Sequence, residues 1–208
     1  MAHRQRREIE KIFAQAQMQV EKELKPLEDV ARAIVQASTA CRDAVRDLIH
    51  GATEKERLER EAFVFYEFIY FFMHLTMRHA STQLAESQLR TLQRYLGPLI
   101  SSVAIDSYFA HWPDDLKQKM TSEFYDKLNE AESEYTECTQ AGSLGQGEDS
   151  VRRKLRALFM KLGSNISSLS GRAEKELAVI TPVALVAISE WKRMRLDNLM
   201  AQVEKASR

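Results

Sequence analysis

A chain of 208 residues, 44% hydrophobic and 29% charged, carries enough apolar material to bury a substantial core, which excludes disorder of the whole chain. Thirty Lys and Arg balance thirty Asp and Glu, so no net field draws the molecule onto a nucleic-acid backbone or an acidic membrane. Seven Gly and four Pro are too few for the turns of an all-β fold of this size.

In chain order, Met1 to Glu8 are charged and contain no apolar stretch of the kind that engages a secretion apparatus. Ile9, Ile12, Phe13, Ala16, Val20 and Leu24 then share a helical stripe that Pro26 is expected to end. Leu27, Val30, Ile34, Cys41, Val45 and Leu48 repeat the pattern as a second helix, with Pro26 in its first turn and Gly51 as its stop. Thr53 reads as the N-cap of a third helix over about 53–80, with Glu54 and Glu56 where the helix dipole favours acids. Leu84, Leu89, Leu92 and Leu96 keep helical spacing to Gly97-Pro98, where a break is expected, and a short apolar helix follows to His111-Trp112.

Beyond Pro113, the stripe Leu116, Met120, Phe124, Leu128, Ala131 and Tyr135 predicts a long sixth helix. The Gly- and Ser-containing stretch at 141–150 reads as a flexible connection. Val151, Leu155, Leu158, Phe159 and Leu162 predict a seventh helix capped by Gly163-Ser164-Asn165, and a last helical region over 172–205 should bend or divide at Pro182. These elements predict an all-α fold: one domain over 1–208, a bundle of seven or eight helices around a central aromatic-rich helix.

That third helix holds Phe63, Phe65, Tyr66, Phe68, Tyr70, Phe71 and Phe72 in ten positions, which leaves little room for a solvent face. Within it Glu67, His74 and Arg78 stand seven and eleven residues apart, so at 100° per residue they fall within about 40° of one another, and Arg60 extends the stripe. The simplest reading makes this stripe the narrow wet side of the helix. A second makes it a buried polar network, whose members must satisfy one another. The third makes Glu67, Tyr70, His74 and Arg78 ligand-binding residues, with Tyr66 as a further wall.

Other chemistry finds less support. A bundle-type di-metal site needs two Glu-x-x-His pairs, and only Asp47-Leu48-Ile49-His50 approaches half of one, so no metal ligand and no cofactor are assigned. Cys41 and Cys138 stand too far apart for a disulfide framework or a zinc motif. The glycines at 142, 145 and 147 lack a preceding strand and a following Gly-Lys-Ser/Thr, and Glu148 and Asp149 would repel a phosphate. No nucleophile elbow is present, so no catalytic residue is named.

Acids dominate 121–150 and bases dominate 151–175, which suggests an antiparallel helix pair whose flanks attract; a nucleic-acid surface there lacks aromatic interleaving. The apolar run from Leu177 to Ile188 is too short for a membrane span and reads as core, although the neighbouring Trp191, Lys192 and Arg193 would also suit an interface. The expected function is that of a cytoplasmic, non-enzymatic protein acting through a protein partner or as a homodimer. The alternative is a small-molecule binder or enzyme with its pocket at Glu67, His74 and Arg78.

Overall fold

A computed structural model of the chain describes residues 24–107, 110–111, 114–141, 148–171 and 176–206. These are helical apart from turns and short connections, and no strand occurs among them. We label the helices α1 (24–44), α2 (Glu54–Gln83), α3 (Glu86–Ser107), α4 (Asp114–Ala141), α5 (Glu148–Leu169), α6 (Glu176–Met194) and α7 (Leu196–Ala206); a single 3-10 turn, Arg46–Leu48, lies between α1 and α2. The predicted stripe over residues 9–20 and the centre of the predicted 141–150 connection lie outside the described residues.

Helix α2 starts where its sequence directs. The Thr53 hydroxyl accepts the Glu56 N–H at 3.1 Å, and the Glu56 carboxylate accepts the Ala52 N–H at 2.8 Å, so two N–H groups at the helix entrance gain acceptors. Past the first two turns it becomes largely apolar: Ala62, Val64, Phe65, Phe68, Ile69, Phe71 and Phe72 are fully buried. Each such phenylalanine contributes about 1.5–3 kcal/mol of burial free energy, far more than any surface pair along the chain. One contiguous apolar core draws on every one of these helices, with α2 packed against α3, α4, α5 and α7.

The predicted breaks differ from the observed ones, each for a packing reason. Leu24 and Lys25 are already helical, so Pro26 stands in the first described turn of α1, and the expected end of a preceding helix lies outside the described residues. Helix α2 runs on to Gln83, and the break falls at Leu84-Ala85, where the Gln88 side chain accepts the Ala85 N–H at 3.0 Å. Gly97-Pro98 does not interrupt α3. The proline ring is exposed while Leu92, Leu96, Ile100 and Ala104 of the same helix are buried, and that burial outweighs the lost backbone hydrogen bond.

Helix α5 likewise continues through Gly163-Ser164-Asn165 to Leu169. Gly163 is not a cap but a close approach: a Cβ there would lie 2.8 Å from the Ile180 Cα of α6. Pro182 stands inside α6, and the division comes instead at Arg195, whose φ of 48° turns the chain into α7. The apolar run in α6 is core along one face, with Val179, Val183 and Ala187 fully buried, whereas Leu185 is 64% exposed on the other. No helix of the described residues is long and apolar enough to cross a membrane.

Candidate functional site

The polar stripe of α2 is for the most part not its wet side. Glu67 is 8% exposed and His74 1% exposed, whereas Arg78, one turn further on, lies at the surface. The wet-side reading therefore fails for Glu67 and His74, because α4 and α5 cover the face of α2 on which they stand. Each receives a partner from those helices, Glu67 from Tyr135 and Asn165 and His74 at its Nδ1 from Glu132, which periodicity along α2 alone does not disclose.

The Tyr135 hydroxyl of α4 donates a short hydrogen bond to Glu67 Oε1, and the Asn165 amide of α5 donates to the same oxygen at 2.7 Å. Burial pushes the Glu67 carboxyl above its usual range, against the opposing pull of those two donors. Tyr135 is held well above the ordinary phenol range, first by its own burial and then by the neighbouring Glu67. A carboxyl in this setting gives up its proton less readily than one in water, and its neutral form is both a donor and an acceptor.

His74 stacks at a tilt on Tyr135, with ring centroids 5.7 Å apart, and its Nδ1 lies 3.1 Å from Glu132 Oε1 on α4. Nδ1 is the donor to that carboxylate, and Nε2 is buried without a hydrogen-bond partner. Tyr66 and Tyr70 donate their hydroxyl protons to the backbone carbonyls of Met120 and Phe124 at 3.0 and 3.1 Å, taking up acceptors on α4. Burial raises both phenols above their ordinary range. Four polar residues of α2 thus hold α4 and α5 in register.

A cleft of about 230 Å³ opens between α2, α4 and α5. Glu67 and Tyr70 line it from α2; Lys127, Glu130, Ala131 and Glu134 line it from α4; Asn165, Ser168 and Leu169 line it from α5. Of the four candidate ligand residues, the structure brings Glu67 and Tyr70 to this cleft, while His74 and Arg78 are not among its walls. Glu134 accepts both Lys161 Nζ at 3.0 Å and Asn165 Nδ2 at 3.3 Å, an ion pair joining the acidic and basic segments as their charge pattern suggested. Asn165, which the sequence places in a cap, has a role that residue order does not reveal. Its signal is its place opposite Glu67 across a helix pair, which only the packing creates.

A second polar cluster also escapes a reading of the sequence. Glu61 is buried, and its carboxylate meets Arg42 at 3.3 Å, Arg46 at 3.1 Å and Arg57 one turn before it on α2. Arg42, in the last turn of α1, and Arg46, in the 3-10 turn after it, stand four residues apart, so the spacing is visible, but the carboxylate they share lies on another helix. This arrangement clasps the α1–α2 connection. The charges nearly compensate, since Arg42 also meets Asp43 at 2.9 Å and Arg57 meets Glu54 at 3.0 Å.

Among the described residues no group of three or more His, Cys, Asp or Glu side chains could hold a metal ion. Burial raises the Cys41 thiol above its usual range, which suits a core side chain rather than a nucleophile. No protein-family model matches the chain, and no curated protein or solved structure matches it either.

Proposed function

We propose that this chain is a non-enzymatic cytoplasmic module that works through its surfaces, binding a protein partner or a second copy of itself. It is read as one domain, a bundle of seven or eight helices with α2 as the central rod. The observation that supports this most directly is the use of the polar groups on α2. Glu67, His74, Tyr66 and Tyr70 each bond to α4 or α5, which is the pattern of a scaffold held in one arrangement. Native mass spectrometry of the protein as purified tests it: a dimer, or a retained protein partner, is expected. A monomer carrying a small molecule would overturn it.

One observation favours a second reading, in which the protein binds a small molecule. Glu67 is buried at the floor of a cleft, and both of its protein donors converge on Oε1. A carboxyl that served packing alone has no need of a cleft over it. A retained ligand in the same mass spectrum, lost on Glu67→Gln, is the expected result for this reading.

A further inference from the structure

The walls of the Glu67 cleft select among ligands, a selection that rests on the small-molecule reading. We propose that the cleft between α2, α4 and α5 binds a compact organic cation, a protonated primary amine or diamine, whose ammonium meets Glu67 at the floor and Glu130 on the α4 wall.

Three features point to that class. First, both hydrogen bonds to Glu67 fall on Oε1, so among the described residues Oε2 receives no donor, and an ammonium N–H supplies one. Secondly, the cleft holds three carboxyls, Glu67, Glu130 and Glu134, against one lysine. Glu134 is already tied to Lys161, and Lys127 places its ammonium 4.9 Å from the centre of the Phe63 ring, a cation–π arrangement that occupies its charge. Glu130, by contrast, is exposed and has no hydrogen-bond or ion-pair partner among the described residues. Thirdly, among the described residues no group of three or more carboxyls here could hold a metal ion, whereas a diamine carries two ammonium groups on one chain and reaches acceptors farther apart than a single ion does. Tyr70, Ala131 and Leu169 offer apolar surface to a short alkyl chain, and the cleft volume falls below the roughly 300–1,000 Å³ of pockets for drug-sized ligands, which confines the occupant to a small molecule.

Binding has a proton signature. Burial raises the Glu67 carboxyl and a cation beside it lowers it again, so over the pH range in which free Glu67 is protonated, association releases a proton and affinity rises with pH. The groups facing that carboxyl are Tyr135 and Asn165 as donors, with Glu134 opposing its ionisation and Lys161 favouring it; Lys127 and Glu130 share the cleft.

Isothermal titration of the full chain with n-butylamine and 1,4-diaminobutane, in two buffers of different ionisation enthalpy, tests the proposal, with n-butanol and butyrate as controls. Saturable binding of an amine with proton release is expected, together with a loss of about tenfold or more in Glu67→Gln. Gln keeps the Oε1 acceptor for Tyr135 and Asn165, and circular dichroism confirms that the variant is folded. Ser168→Phe, which fills the cleft from its exposed α5 wall, should abolish binding without touching the buried network. Undiminished amine binding by both variants overturns the proposed site. Binding of n-butanol or butyrate but not the amines, lost in Ser168→Phe, overturns the cation while leaving the small-molecule reading intact. No binding of any probe, with no molecule retained in the native mass spectrum, overturns both.

Discussion

Glu67 and Gly163 show how a single side chain, or its absence, is tied to its neighbours. Glu67 ionises less readily in the folded protein than the usual carboxyl value of 4.5, because burial penalises the charged form. The folded state therefore keeps a proton that the unfolded chain gives up. The stability this contributes is complete below about pH 4.5 and is lost as pH climbs through the raised value. Urea midpoints of wild type and Glu67→Gln, compared from that pH to about pH 8, should show wild type losing ground to the variant as pH rises. Parallel profiles would contradict the assignment.

At Gly163, alanine would gain up to about 1 kcal/mol of helix propensity but force its Cβ onto the backbone of α6 at Ile180. Overpacking of that kind costs about 1–3 kcal/mol, so Gly163→Ala should destabilise by about 1–2 kcal/mol. A denaturation midpoint equal to or above wild type would mean that the two helices separate freely.

At the scale of the element, the starts of helices were legible and several of their ends were not. Thr53, Glu54 and Glu56 announce the start of α2 because a cap is a local device: donor and acceptor lie within four residues. The stripe Met120, Phe124, Ala131 and Tyr135 in α4 is likewise written in spacing, and all four residues are buried. Pro98 misleads because its local cost is real yet smaller than the burial of the helix that contains it. Proline costs about 3 kcal/mol relative to alanine inside a helix, and roughly 1 kcal/mol is recovered through the stiffer unfolded chain. Pro98→Ala should accordingly stabilise by about 1–2 kcal/mol and raise the melting temperature by about 2–8 °C. An unchanged or lower value would show that α3 is held in a proline-bent form by its neighbours.

Across the described residues, the segment from Val64 to Thr76 carries an unbroken run of buried positions, within a helix that touches four others. If α2 is the central rod, its amides open only when the whole structure does, whereas those of α7 open through local excursions. Hydrogen exchange should find residues 64–76 the slowest in the chain, with α7 faster. The reverse order would remove α2 from the centre.

The class of fold and the apolar face of each long helix were readable from residue order, because helical periodicity and capping act over a few neighbouring positions. The helical spacing that puts Glu67 and His74 on one face of α2 was readable too, and both prove buried. What the residues of α2 could not announce was that Tyr135 and Asn165, 68 and 98 positions away, would meet Glu67, or that Arg42 and Arg46 would join Arg57 at Glu61. Such partnerships depend on how rods pack side by side, and packing is decided by the shapes of faces that are remote in the chain. The same packing separated Arg78 from the stripe, carried α3 and α5 through their supposed breaks, and opened a cleft above one buried carboxyl.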